Sequence, residues 1–547
     1  MKKGLLFSIT ILGTLAVWAQ PRTGLKVDSV MVVNTYKPNL LDPTKMIFKP
    51  SLPEIEKEKP VFKYTRIERY LSPKFKPEFK APSLFRGVTE LKTPKNTLLA
   101  GFGSTINPVF GYDGGFSAKN NLLLVHVAHQ SAFGKFNLAD STLNPHYSDS
   151  RIRVEDQFQS TAFGGKVGVD FDHRWNRRYG WATDSLIRDS LTNSYRQIGF
   201  DGEVAGKGEI LPWKAGVRCQ NMTDQNGASE GMLQLYGSAS PVILSAFSTK
   251  IDVSFQTVGL NPNSLVIPQF KRNVVEITPS IQKKTEKAQL EAALRIVTES
   301  YSALTDSTKL HLFPRFSVGY QLDEKTQAKL IFHSGLQWNT YAQMSKINPF
   351  MSTPSLLLNT TERWNLGVAA NHTLESGWMI SLKGSAGAYQ NMPFFVSYPQ
   401  QMESTFFVAF DSLTKIQKLE GTLQKKFDGQ WEMAMGCMVQ NVKTTTLTDA
   451  FYTPRAKLDL NVKYALQPKT KVGLEAHVWG IRTFAGGQKS VSTLPWVPDL
   501  TLTMDHEWKK GLSFFGRLQN MAFTNYALYF GVPAYGPNVL MGIRWNH

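Results

Sequence analysis

The feature that most constrains this chain is strict two-residue alternation, carried for roughly ten residues at a time, with charged side chains on one of its two faces. In one stretch Ala456, Leu458, Leu460, Val462 and Tyr464 fall on one side, while Lys457, Asp459, Asn461 and Lys463 fall on the other. Successive side chains of a β-strand point to opposite faces, so this pattern describes a sheet that is apolar on one surface and charged on the other. The pattern recurs after short turns. Leu310, Leu312, Phe316, Val318 and Tyr320 oppose His311, Arg315, Ser317 and Gln321, and the turn at Asp323–Lys325 leads into Ala328, Leu330, Phe332, Leu336 and Trp338 opposed by Lys329, His333 and Gln337. Asp428-Gly429 is a type I′ hairpin signal between two further strands.

The connections alternate as well. Short turns near 206–209, 283–287, 323–326, 374–377, 428–430, 467–470 and 508–511 are interleaved with long polar loops near 258–272, 340–361, 390–411, 442–453 and 483–496. Short turns on one rim and long loops on the other are the pattern of an outer-membrane barrel. The expected fold is all-β: a transmembrane antiparallel up-and-down β-barrel of about 18–20 strands, with an N-terminal extended arm. A backbone in hydrocarbon must pair all its amides internally, so such a sheet has to close. Closure gives the charged face a role as lumen lining, for which the candidates are Arg295, Arg315, Lys329, Arg363, Lys383, Lys418, Glu420, Glu432, Lys457, Asp459, Lys471, Glu475 and Arg517. Trp338, Trp364, Trp378 and Trp431 lie near strand ends and suit interfacial girdles. The rival architecture is a soluble sandwich in which the apolar face is core. Strand length and the loop asymmetry speak against it.

The chain divides into three parts: a signal peptide at 1–19, a proline-rich basic arm at 20–95, and the barrel at 96–547. Lys2 and Lys3 precede an apolar run, Leu5 to Val17, and the small residues Val17 and Ala19 mark a cleavage site. The arm carries prolines at 38, 43, 50, 53, 60, 73, 77, 82 and 94, a spacing that forbids long helices and central strands. It reads either as a solvated extension or as a tether for a periplasmic protein or anionic headgroups. The formal charge of +18 therefore follows from location at a membrane, and nucleic acid is not an expected partner. The expected address is the cell outer membrane, with outer-membrane lipids and the barrel-assembly machinery as partners. Cys219 and Cys437 sit on apolar faces and read as isolated small side chains.

Two segments carry a family resemblance. Gly516-Arg517-Leu518-Gln519-Asn520, then Asn525-Tyr526, Tyr529-Phe530-Gly531-Val532-Pro533-Ala534-Tyr535-Gly536 and the closing strand resemble the end of the barrel of TonB-dependent receptors. Tyr36 to Lys45 resembles the leader of plugless barrels called TonB-dependent-receptor-like. Gly542, Ile543 and Trp545 resemble the terminal signal that assembly machinery reads, although Asn546 and His547 follow it. The resemblance implies transport. That family carries an N-terminal plug of well over a hundred residues, and the arm is too short and too rich in proline for one.

No catalytic, metal or cofactor site is legible. Gly101-Phe102-Gly103-Ser104-Thr105 lacks the ending of a phosphate loop. His126 and His129 would lie on opposite faces of a strand. Glu420 and Glu432 read as lumen charges rather than an acid pair. The function expected is a solute conduit or binding barrel, not an enzyme. The alternative is a structural barrel that anchors a periplasmic or surface complex through its arm.

Overall fold

The structure is a computed structural model that describes residues 96–547 except 139–140, 179–191, 207, 209–210, 242–246, 265–267, 303–306, 355, 398–404, 428–429, 488–489 and 525. The arm, the signal peptide and the Asp428-Gly429 turn fall outside the described residues. Among those described, 22 strands form a single sheet. Every strand pairs antiparallel with its neighbours in sequence, and the first strand, Thr97–Gly103, pairs with the last, Asn538–Asn546. Closure runs from Thr97 opposite Asn546 to Gly103 opposite Leu540. The sheet has no free edge, which is the condition for crossing a bilayer with strands. Among the described residues no helix is long and apolar enough to cross a membrane.

The strand number exceeds the 18–20 expected from alternation. The excess arises where glycine erases the pattern. The strands Thr97–Gly103 and Val109–Ala118 contain Gly101, Gly103, Gly111, Gly114 and Gly115, and a position without a side chain contributes nothing to a two-residue period. The glycines have a packing reason. A Cβ at Gly542 would stand 2.3 Å from Ala100 O and 2.4 Å from Phe515 Cζ, so the seam closes only because Phe515 lies over bare backbone.

The outer face is apolar and unpacked by protein. Val318, Leu330 and Val368 lie opposite one another on successive strands and are 39%, 38% and 55% exposed. Leu310 reaches 68%. A band of large apolar side chains this continuous has no place in water and defines a lipid-facing surface. Trp364 and Trp431 are exposed on it. Trp338 and Leu336 depart from the alternation that put them there. A bulge between His333 and Gly335 shifts the register, and both side chains instead pack with the buried Val274, Val297 and Phe313. One extra residue in a ladder is enough to change the face of everything after it.

Chain termini and short turns share one rim. Asn96 N donates to His547 O at 3.1 Å and His547 N donates to Asn96 O at 2.8 Å. The connections 119–120, 160–162, 374–378, 468–469 and 510–511 lie on that rim. Gly511 has φ +83° there, and a Cβ would meet Asn546 O at 2.4 Å. The opposite rim carries 338–359, 391–413, 444–455, 480–496 and 520–537. These long segments hold a short helix, α1 (Tyr341–Ile347), and three hairpins, Met392–Val396 with Phe407–Asp411, Arg482–Gly487 with Ser490–Leu494, and Ala527–Tyr529 with Val532–Pro533. They are far from uniformly polar, and they contain the largest buried apolar cluster among the described residues.

Candidate functional site

The site consists of a charged inner face and a cap that covers its long-loop end. Cross-strand register assigns the inner face. Lys329 stands opposite Ala369, Lys383 opposite Glu420, Glu420 opposite Met438, and Met438 opposite Lys457. Directly paired residues share a face, and this row lies on the side away from Val318, Leu330 and Val368. By the same register Arg295, Arg315, Lys418, Glu432, Asp459, Lys471, Glu475 and Arg517 fall on that face. Arg363 sits in the bulge between Glu362 and Trp364, where alternation does not assign a side. Ile543 and Trp545 point to the exposed outer face, whereas Gly542 is held under Phe515.

Most charges on the inner face are matched by a neighbour. Arg295 donates twice to Glu276, Nε to Oε1 at 2.8 Å and Nη2 to Oε2 at 2.7 Å. Lys418 Nζ lies 2.6 Å from Glu420 Oε1, and Lys383 approaches the same carboxylate at 3.6 Å. His477 and Asp459 are 2.7 Å apart. Alternation alone could not show the densest network. Arg153 bridges Asp201 at 2.8 Å, Glu155 at 2.6 Å and Asp170 at 3.6 Å. Asp172, buried, holds Lys346 of α1 at 3.0 Å. His126 and His129 do separate onto different partners, Asp113 and Ser150.

The cap is built from long-range contacts. The loop 338–359 leaves one wall and docks on another. Arg174 donates to Ser345 O at 2.8 Å, and Asn193 donates to Pro349 O at 2.7 Å. Glu230 accepts from Tyr341 N at 2.6 Å and Ala342 N at 3.0 Å, which satisfies amide donors that the first turn of α1 leaves open. Arg272, fully buried, donates to Asn339 O at 2.7 Å and to the Asn359 side chain. At the centre Tyr529 is fully buried against Phe350, Phe395, Phe406 and Tyr452, with ring centroids 6.4, 6.5, 4.9 and 5.2 Å away. Its hydroxyl donates to Ile347 O at 3.0 Å. Arg482, also fully buried, donates to Leu528 O, Ala527 O and Pro495 O. Sequence inspection passed over these residues because their partners are distant in the chain. The available signal was the aromatic density of Phe394-Phe395, Phe451-Tyr452 and Tyr526 to Tyr535, unusual for a solvated loop.

Burial keeps the phenols of Tyr341, Tyr526 and Tyr535 protonated well above their ordinary value of 10.0. Their folded value is raised, so the contribution they make is complete below pH 10 and declines as pH climbs above it, when the unpacked loops would ionise first. Cap opening is therefore expected to set in above about pH 10 while the barrel still migrates as a folded species in an unheated gel. Protease nicking of the long loops across pH 8 to 11 would measure it, and nicking that does not change with pH would contradict it.

A closed 22-stranded barrel with an apolar belt, a charged interior and inward-folded long loops is the architecture of a large outer-membrane barrel. Solved structures agree in fold. The FrpB iron transporter from Neisseria meningitidis (F3-3 variant) superposes with a TM-score of 0.67 at 11% identity, covering 83% of this chain and 82% of that one. The ferric-catecholate import receptor Fiu from Escherichia coli K12, in its closed form, gives 0.62 at 10% identity, with 83% and 82% covered. The siderophore receptor PirA from Acinetobacter baumannii gives 0.65 at 9% identity, with 84% and 81% covered. The likeness is one of fold, and it covers more than four fifths of the chain. No protein-family model matches the chain, and no curated protein matches it in sequence.

Proposed function

We propose that this protein is a gated outer-membrane conduit, with the charged inner face as its lining and the cap as its gate. The observation that carries the reading is the pairing of a wide, charge-lined barrel with a compact hydrophobic core confined to one mouth. A barrel that served only as an anchor would gain nothing from a lining rich in ionisable side chains, each of which costs free energy to desolvate. Fold neighbours described as an iron transporter and as import receptors support transport as the class of function. The work done is passage and selection of solutes, without catalysis. The lysines and arginines of the inner face favour anions.

Planar-bilayer recording tests this. The purified barrel is expected to be mostly closed, with rare openings whose reversal potential in a salt gradient shifts toward that of the anion. Absence of channel activity from the whole chain, from a form lacking residues 20–95, and from a cap-loosened variant would sink the conduit reading. The closed mouth also favours a second reading, an anchoring barrel whose basic arm holds a periplasmic protein. The arm joins the barrel at Asn96, on the rim opposite the cap. Capture of a periplasmic protein that depends on residues 20–95, from a barrel that never conducts, would favour it.

A further inference from the structure

Between the underside of the cap and the inner wall lies a cavity of about 170 Å³. Its roof is α1, the strand Met392–Val396 and the segment Phe451 to Pro454, and its wall comes from the strands Thr414–Phe427 and Trp431–Lys443 and from Lys457. The apolar lining is soft and aromatic, with Met344, Met392, Phe394, Ile416, Met438 and Phe451. Methionine adapts its shape to a range of apolar bodies.

The polar side of the cavity is lopsided. Its lining contains two lysines, Lys418 and Lys457, and no carboxylate. Two of the neutral polar groups are already engaged. Gln440 Nε2 donates to Pro454 O at 2.8 Å, and Asn339 Nδ2 donates to Leu358 O at 2.8 Å and to Thr360 Oγ1 at 2.7 Å. Lys418 is held by Glu420. Lys457 is different: its ammonium lies 5.3 Å above the Trp479 ring, and among the described residues no carboxylate comes within ion-pair distance of it. Asp459, on the same inner face, is held by His477 at 2.7 Å and acts on Lys457 only from a distance, so a bound anion would give the ammonium a partner in contact.

We propose that this cavity binds a small carboxylate with an apolar or aromatic body, the carboxylate on Lys457 and the body among Met392, Phe394, Ile416 and Met438. A preformed apolar pocket with one convergent charge selects ligands in this way, by burial for affinity and by the charge for orientation. The proposal stands apart from the conduit reading, because binding is read without flux.

Calorimetry on the whole purified barrel in a non-ionic detergent tests it, with 4-phenylbutyrate as the probe and the matching neutral amide and amine as controls. The carboxylate is expected to bind with one ligand per chain, the amide at least about tenfold more weakly, and the amine not at all. Lys457→Met keeps an unbranched apolar stem, one atom shorter, and removes the charge. It is expected to lose about tenfold in carboxylate affinity while leaving the amide unchanged. Met438→Trp fills the cavity and is expected to abolish both. Heat-modifiable gel mobility reports whether each variant is folded. Equal binding of acid and amide by the unmodified protein would overturn the proposal without recourse to any variant. So would the absence of saturable binding, or undiminished carboxylate binding in a folded Lys457→Met protein.

Discussion

Tyr529→Ala is expected to turn a mostly closed barrel into a mostly leaky one. The ring is fully buried at the point where four loop segments meet, packed on Phe350, Phe395, Phe406 and Tyr452. Removing an aromatic side chain from such a core costs about 3–5 kcal/mol. The barrel strands do not share this cost, because each is held by pairing with both of its neighbours around the closed ring. The loss therefore falls on the equilibrium between docked and undocked cap, where it multiplies the open population roughly 10²–10⁴-fold. Open probability in single-channel records measures this directly. Tyr529→Phe keeps the ring and removes only the bond to Ile347 O, and it is expected to move the same quantity by about tenfold or less. Equal open probabilities for the alanine variant and the parent would show that the cap does not gate.

Asp411→Ala is expected to release the segment 444–455 from the cap. The Asp411 carboxylate is fully buried and accepts from Thr446 N at 2.7 Å, Thr445 N at 3.0 Å and Leu447 N at 3.1 Å, while Thr414 Oγ1 donates to it at 2.7 Å. One side chain thus satisfies three consecutive amides of another loop. Alanine takes the acceptor from all of them; Thr445 and Thr446 are exposed, so water takes up part of the loss, and the cost is on the order of 1–3 kcal/mol. The strands beneath are untouched, so the expected result is local. Limited proteolysis should cut within 444–455 in the variant and spare it in the parent, with gel mobility of the folded barrel unchanged. Asp411→Asn retains one acceptor oxygen and should fall between the two. Protection of 444–455 in the alanine variant would mean that the aromatic core holds the loop without the latch.

Both predictions concern residues that a reading of local pattern passes over, and the reason is physical. Alternation is a property of neighbours in the chain. It survives in the strand Ala456–Gln467 because each side chain there answers only to lipid or to the interior. It fails in the first strands, where Gly101, Gly111 and Gly542 let the seam close. It fails again after the bulge at His333, which turns Leu336 inward. The cap obeys no period at all. Tyr529 depends on Ile347, and Tyr341 depends on Glu230 and Asp224, partners more than a hundred residues away. An aromatic residue in a loop carries the same letter whether it faces water or a core.

By itself the sequence determined that the chain forms a charged-faced, apolar-backed antiparallel sheet with a short-turn rim and a long-loop rim. Two-residue periodicity and turn chemistry are local, and hydrocarbon leaves such a sheet no alternative to closure. Only the tertiary structure decided that the ring takes 22 strands, that the long loops fold inward on Tyr529, and that a cavity lined by Lys418 and Lys457 lies beneath them. Those outcomes follow from the fit of side chains brought together across the barrel, and packing of that kind is settled by shape and partner rather than by position in the chain.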